Sequence, residues 1–156
     1  MKYFVRQAAF AVGVGILVAA TSFGAAAQNP AEIAQRQELM KANGGAMRVL
    51  TPMVRGEAPW NAQAAGQAAA SARDAATKAK ALFPAGTGPD KGQTAALPAI
   101  WERKAEFDAI FDRQIAAASN LVTLAAANNE AGFKAGFAAL GQSCGACHTP
   151  FRRPAN

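Results

Sequence analysis

The stretch FKAGFAALGQSCGACHTPF, residues 133–151, decides how this chain folds. Phe133, Phe137, Leu140, Cys144, Cys147 and Phe151 recur along it in steps of four and three, the spacing that aligns side chains on one face of an α-helix. The same stretch holds Cys144, Cys147 and His148, which are both cysteines and the only histidine of the 156 residues. Thiol and imidazole chemistry is therefore confined to one helical face near the carboxyl end.

Working outward, residues 28–156 read as helical throughout. Ala is abundant, β-branched residues are sparse, and no stretch alternates strictly between apolar and polar. Asn128-Asn129 caps the helix of the opening stretch and ends the one before it. That third helix starts at Pro98 and carries Ile100, Phe107, Phe111, Ile115, Ala118, Val122 and Ala125 on one face. FPAGTGPDKGQTAA is the longest loop, rich in Pro and Gly. Before it, Asn61 caps an Ala-rich second helix ending near Leu82. The first helix opens at Asn29-Pro30-Ala31-Glu32, with Asn as cap and Pro at the first helical position, and runs to about Leu50. Gly44-Gly45 inside it is open to three readings: room for a flat group, a close helix crossing, or an early helix end at Asn43-Gly44. Four amphipathic helices with short or moderate loops predict an all-α, antiparallel four-helix bundle in one domain.

The amino end is a different kind of segment. Lys2 and Arg6 precede the apolar run AAFAVGVGILVAA, and Ala25-Ala26-Ala27 supplies an A-x-A end. This is the pattern of a secretory signal peptide over 1–27, cleaved after Ala27, leaving a mature domain over 28–156 with no further apolar span. Without Lys2 and Arg6 the formal charge of +6 becomes +4. That excess suits acidic protein partners or anionic surfaces. Scattered basic residues on an exported chain argue against a nucleic-acid partner.

Three chemistries compete for the Cys–His cluster. An exported C-x-x-C invites a disulfide, but the redox version belongs in a βαβ context that this chain lacks. Zinc wants four ligands, and no other Cys or His completes the set. Covalent haem attachment through C-x-x-C-H needs what is present: two thiols a short fixed distance apart for the two porphyrin vinyl groups, and an imidazole in the next position for the iron. On a helix, positions i, i+3 and i+4 share a face, so Cys144, Cys147 and His148 converge. A thiol switch without haem is the remote alternative.

With these residues in view, the chain resembles the class II cytochromes c, cytochrome c′ and its low-spin relatives. CGACHTPFRR is similar to the family's C-x-x-C-H-x-x-[FY]-R ending, TPMVRGEAPW to the connector after its first helix, LPAIWERKAEFD to the start of its third, and RQELM to its R-x-x-x-M segment. The resemblance covers essentially the whole mature chain. It implies a four-helix bundle in the periplasm with haem c near the last helix. It places Arg36 and Gln37 beside the haem propionates, Met40 on the distal side of the iron, and Arg152 next to the His148 imidazole. It also leaves a homodimer open.

Without the resemblance, Met40 on an apolar face reads as core filler and Arg36 as a solvated residue. With it, two outcomes stand. Ligation by the Met40 sulfur gives six-coordinate, low-spin iron suited to one-electron transfer with redox partner proteins. A Met40 that only crowds the iron leaves it five-coordinate and high-spin, with the sixth position open to small gases such as nitric oxide or carbon monoxide. LMKANGGAM and IWERKAEFD are more similar to the low-spin members, which favours Met40 as a second iron ligand. No residue set suggests turnover of an organic substrate, so an electron carrier rather than an enzyme is expected.

Overall fold

The computed structural model describes residues 30–154. The proposed signal segment lies outside them. Among the described residues five helices occur: α1 (Ala31–Arg55), α2 (Ala62–Lys80), α3 (Ala99–Glu102), α4 (Lys104–Ala126) and α5 (Glu130–Phe151). The four long ones form the antiparallel bundle. None of the described helices is long and apolar enough to cross a membrane.

Local chemistry explains most boundaries. The Asn61 side chain accepts the Ala64 N–H at 2.9 Å, and the Asn129 side chain accepts the Gly132 N–H at 2.8 Å, so both expected caps form. Asn128 takes the left-handed conformation (φ 48°) that reverses the chain between α4 and α5. Three boundaries differ from expectation. Helix α1 starts one residue later, at Ala31, with Pro30 at the cap position; Asn29 lies outside the described residues. It also passes straight through Gly44-Gly45 and Pro52. Proline in the final turn forfeits little of the hydrogen-bond ladder, and Gly56 (φ 75°) stops the helix by donating to the Met53 carbonyl. The third expected helix is split at Arg103 (φ −121°, ψ 43°) into the single turn α3 and the long α4.

Packing is lopsided around the bundle. The α2 helix lies along both α1 and α4, and α5 lies along α4, but α1 and α5 touch only sparingly. Close approach on the α2 side follows from its buried alanines, Ala65, Ala68, Ala69, Ala72, Ala75, Ala76 and Ala79. Gly66 there faces the Ala125 methyl, which a Cβ would meet at 3.4 Å. Two core clusters result. One is aliphatic, around Leu50, Leu121, Phe133 and Leu140. The other is aromatic, with Phe107 in edge contact with Phe83, Phe111 and Phe151 at 4.7, 5.0 and 5.3 Å between ring centroids. This aromatic cluster forms the floor of the gap between α1 and α5.

Candidate functional site

The α1–α5 gap is a cavity of about 890 Å³. Helix α1 lines it with a stripe that includes Arg36, Gln37, Met40, Asn43, Gly44 and Arg48; α5 lines it with Gly141, Cys144, Cys147, His148 and Phe151, continued by Arg152. All seven residues singled out in the sequence line this one cavity: Arg36, Gln37 and Met40 from one wall, Cys144, Cys147, His148 and Arg152 from the other. Helix α2 contributes nothing to the lining.

On α5 the helical spacing delivers the expected convergence. Both cysteines are free thiols and partly buried, and the Cys144 thiol donates weakly to the Leu140 carbonyl at 3.4 Å. Burial pushes the Cys147 thiol up to about 11, helped by nearby Cys144 and opposed by Arg152. Burial raises Cys144 too. The His148 imidazole is held below its usual range, first by burial and then by the positive charge of Arg152. A neutral ring keeps a nitrogen lone pair available for a metal.

Arg36 has a different setting from the solvated one its sequence suggests. It is 3% exposed, lying 4.7 Å over the Phe83 ring. Its Nη1 donates to Leu82 O and Thr87 Oγ1 (both 3.3 Å), and its Nη2 to Thr87 O (2.8 Å) and Thr94 Oγ1 (3.2 Å). The guanidinium thus ties the long loop over the end of the cavity. Gln37 adds a bond from Nε2 to Gln93 O at 3.0 Å. From the other side Arg153 Nη2 donates to Thr94 O at 2.7 Å, and Ala96 pairs with Arg152 as an isolated antiparallel bridge.

Sequence reasoning missed Asn43 and Gln114. Gln114 is buried on α4, and its Nε2 donates to Asn43 Oδ1 at 3.2 Å across the cavity floor. A glutamine beside the apolar stripe of α4 is the signal that would have marked it. Asn43 Nδ2 is the one buried side-chain polar atom without a partner among the described residues.

Three observations test whether a haem suits these residues. Gly44 of α1 and Gly141 of α5 both line the cavity, and a Cβ at Gly141 would meet no atom within 4 Å, while one at Gly44 would meet only the Arg48 side chain at 3.8 Å. Protein packing therefore does not demand either glycine, yet each costs about 1 kcal/mol in a helix relative to Ala. A flat macrocycle between the helices uses that bare space. The lining also holds Arg36, Lys41, Arg48 and Arg152 but no carboxylate, complementary to a group bearing two propionates. Finally, the donor set is two thiols and an imidazole on one helix face. The residues fit.

Comparison with known proteins agrees. A family model described as Cytochrome C' matches residues 31–152. The chain is 37% identical over 138 residues to cytochrome c′ of Rhodopseudomonas palustris, covering 88% of this chain and 91% of that protein. It is 34% identical to cytochrome c-556 of Agrobacterium tumefaciens over 124 residues, 78% of this chain and 96% of the relative. Among solved structures it is similar to a nitric oxide complex of a variant cytochrome c′ from Alcaligenes xylosoxidans, with a TM-score of 0.72, 25% identity, and coverage of 80% of this chain and 94% of that one.

Proposed function

Because the chain belongs to the cytochrome c′ family, whose members bind haem c covalently, we propose that it is a one-electron carrier with iron held between His148 and Met40. The observation that carries this reading is the placement of Met40 on α1 and His148 on α5, two elements that line one cavity from facing walls. When bound, the haem supplies the one-electron couple, and methionine ligation raises its potential.

In this reading Cys144 and Cys147 anchor the porphyrin through two thioether bonds, which suits a protein exported to the periplasm, where a loose cofactor would diffuse away. His148, kept neutral by burial and by Arg152, supplies the proximal nitrogen. Met40 supplies sulfur from the opposite wall. Arg36 and Gln37 stand at the propionate end, where Arg36 contributes positive charge while its Nη atoms hold the loop. The aromatic floor of Phe83, Phe107 and Phe111 excludes water and keeps reorganisation small. Residues 1–27 direct export and are then cleaved, leaving the 28–156 domain. In this reading His148 is spent on the iron, and the protein acts as a carrier of electrons rather than as an enzyme on an organic substrate.

A second reading has one observation in its favour, the likeness to a nitric oxide complex of a relative. There Met40 crowds the iron without bonding, and the open position takes a small gas. The raised thiols speak against a haem-free thiol switch, since redox-sensing cysteines have lowered pKa values. Met40→Ala separates the two main readings. For a carrier, the variant loses the sharp low-spin α-band and gains carbon monoxide binding. For a gas binder, it changes neither in kind.

A further inference from the structure

We propose that the cavity rim formed by Arg48 of α1 and Arg152 of α5 is the docking face for a redox partner protein with an acidic surface; this rests on the electron-carrier reading above. Elsewhere on the surface, several lysines and arginines stand beside carboxylates: Arg73 with Asp74 (2.8 Å), Lys91 with Asp90 (2.9 Å), Arg103 with Glu106, Lys104 with Asp108 and Lys134 with Glu130 (each 2.6 Å); Lys78 and Arg113 have no ion pair with any described residue but lie outside the cavity lining. At the cavity, Lys41 is likewise held by Glu38 at 2.6 Å. Arg48 and Arg152 are both exposed, both line the cavity, and neither forms an ion pair with any described residue.

Both side chains are placed by the fold. Long helical side chains lean toward the helix amino end, so Arg48 lies back over the preceding turn. There Gly44 and Gly45 leave the helix surface bare, and the Arg48 Nη1 and Nη2 atoms sit 3.8 Å from where their Cβ atoms would be. Arg152 is fixed on the opposite lip by its bridge to Ala96. The two cations therefore stand on opposite walls of the cavity. With Lys41 held by Glu38, a haem's two carboxylates balance two of the other three cations in the lining, so the loaded mouth keeps a positive surplus. Such a patch raises encounter rates with an acidic surface, and salt screens it with a Debye length of about 10 Å at 0.1 M.

Stopped-flow oxidation of the reduced, haem-loaded protein tests this with two small one-electron acceptors. Ferricyanide is anionic and tris(phenanthroline)cobalt(III) is cationic; each takes one electron from the haem. The ferricyanide rate should fall steeply with added salt and drop by about tenfold in Arg48→Glu at low ionic strength, while the cobalt rate rises. Lys78→Glu, on α2 and away from the cavity, should change neither. Poly-L-glutamate, standing in for an acidic partner, should slow ferricyanide oxidation of the unaltered protein and lose that effect in Arg48→Glu. A silent Arg48→Glu, an equal effect from Lys78→Glu, or indifference to poly-L-glutamate overturns the docking face. Failure of the carrier reading shows separately, as carbon monoxide binding by the unaltered reduced protein.

Discussion

At the residue scale, Gly44 and Gly45 are neighbours with different duties. Both tolerate a methyl as far as the protein's own atoms are concerned, with the nearest atom 3.8 Å away in each case. Only Gly44 lines the cavity. Gly45→Ala should therefore stabilise the haem-loaded protein by up to about 1 kcal/mol through helix propensity. Gly44→Ala should forfeit that gain or lower stability, because its methyl enters the haem space. Urea unfolding followed by circular dichroism compares the two directly; equal gains would mean that Gly44 does not face the cofactor. Arg36 makes an equally sharp case. Arg36→Leu leaves the Leu82 and Thr87 carbonyls and the Thr87 and Thr94 hydroxyls short of their buried donor, which should cost about 3 kcal/mol. Because that loop closes the cavity, the loss should appear with faster haem-pocket exposure, read as increased proteolysis between Pro84 and Leu97.

At the scale of elements, the caps carry a measurable share of stability. Asn129→Ala removes the acceptor for the Gly132 N–H at the start of the haem-bearing helix and should cost about 1 kcal/mol. Much of this level was legible beforehand. The steps of four and three in α5, the Asn caps at 61 and 129, and the Pro/Gly loop each follow from chemistry local to a few residues. What escaped was set by contacts distant in sequence. Arg36 reads as a surface residue because its acceptors lie 46 to 58 positions away, in a loop whose path no periodicity predicts. The Gln114–Asn43 bond, spanning 71 positions, was hidden for the same reason. Gly44-Gly45 as a helix end looked as good as a helix interior, and tertiary packing on α2 decided for the interior. The break at Arg103 had no sequence signal, since arginine is a good helix former.

At the scale of the whole molecule, three of the four sides of the bundle are closed by protein packing and the fourth, between α1 and α5, is left to the cofactor. Folding and haem attachment should therefore be coupled. Cys144→Ala or Cys147→Ala should leave haem held by a single thioether or lost, with a lower yield of folded protein; normal folding without haem would break that link. The sequence motif alone, C-x-x-C-H with every Cys and His of the chain spent on it, carries the proposed anchoring. It says nothing about the other face of the iron, which in the proposed reading belongs to a residue about a hundred positions upstream. That residue is Met40. The most direct test is the absorption spectrum of the oxidised and reduced protein before and after carbon monoxide. Met40 ligation predicts a sharp low-spin α-band in the reduced protein and no change on adding the gas. A broad, high-spin reduced spectrum that shifts readily with carbon monoxide would contradict it.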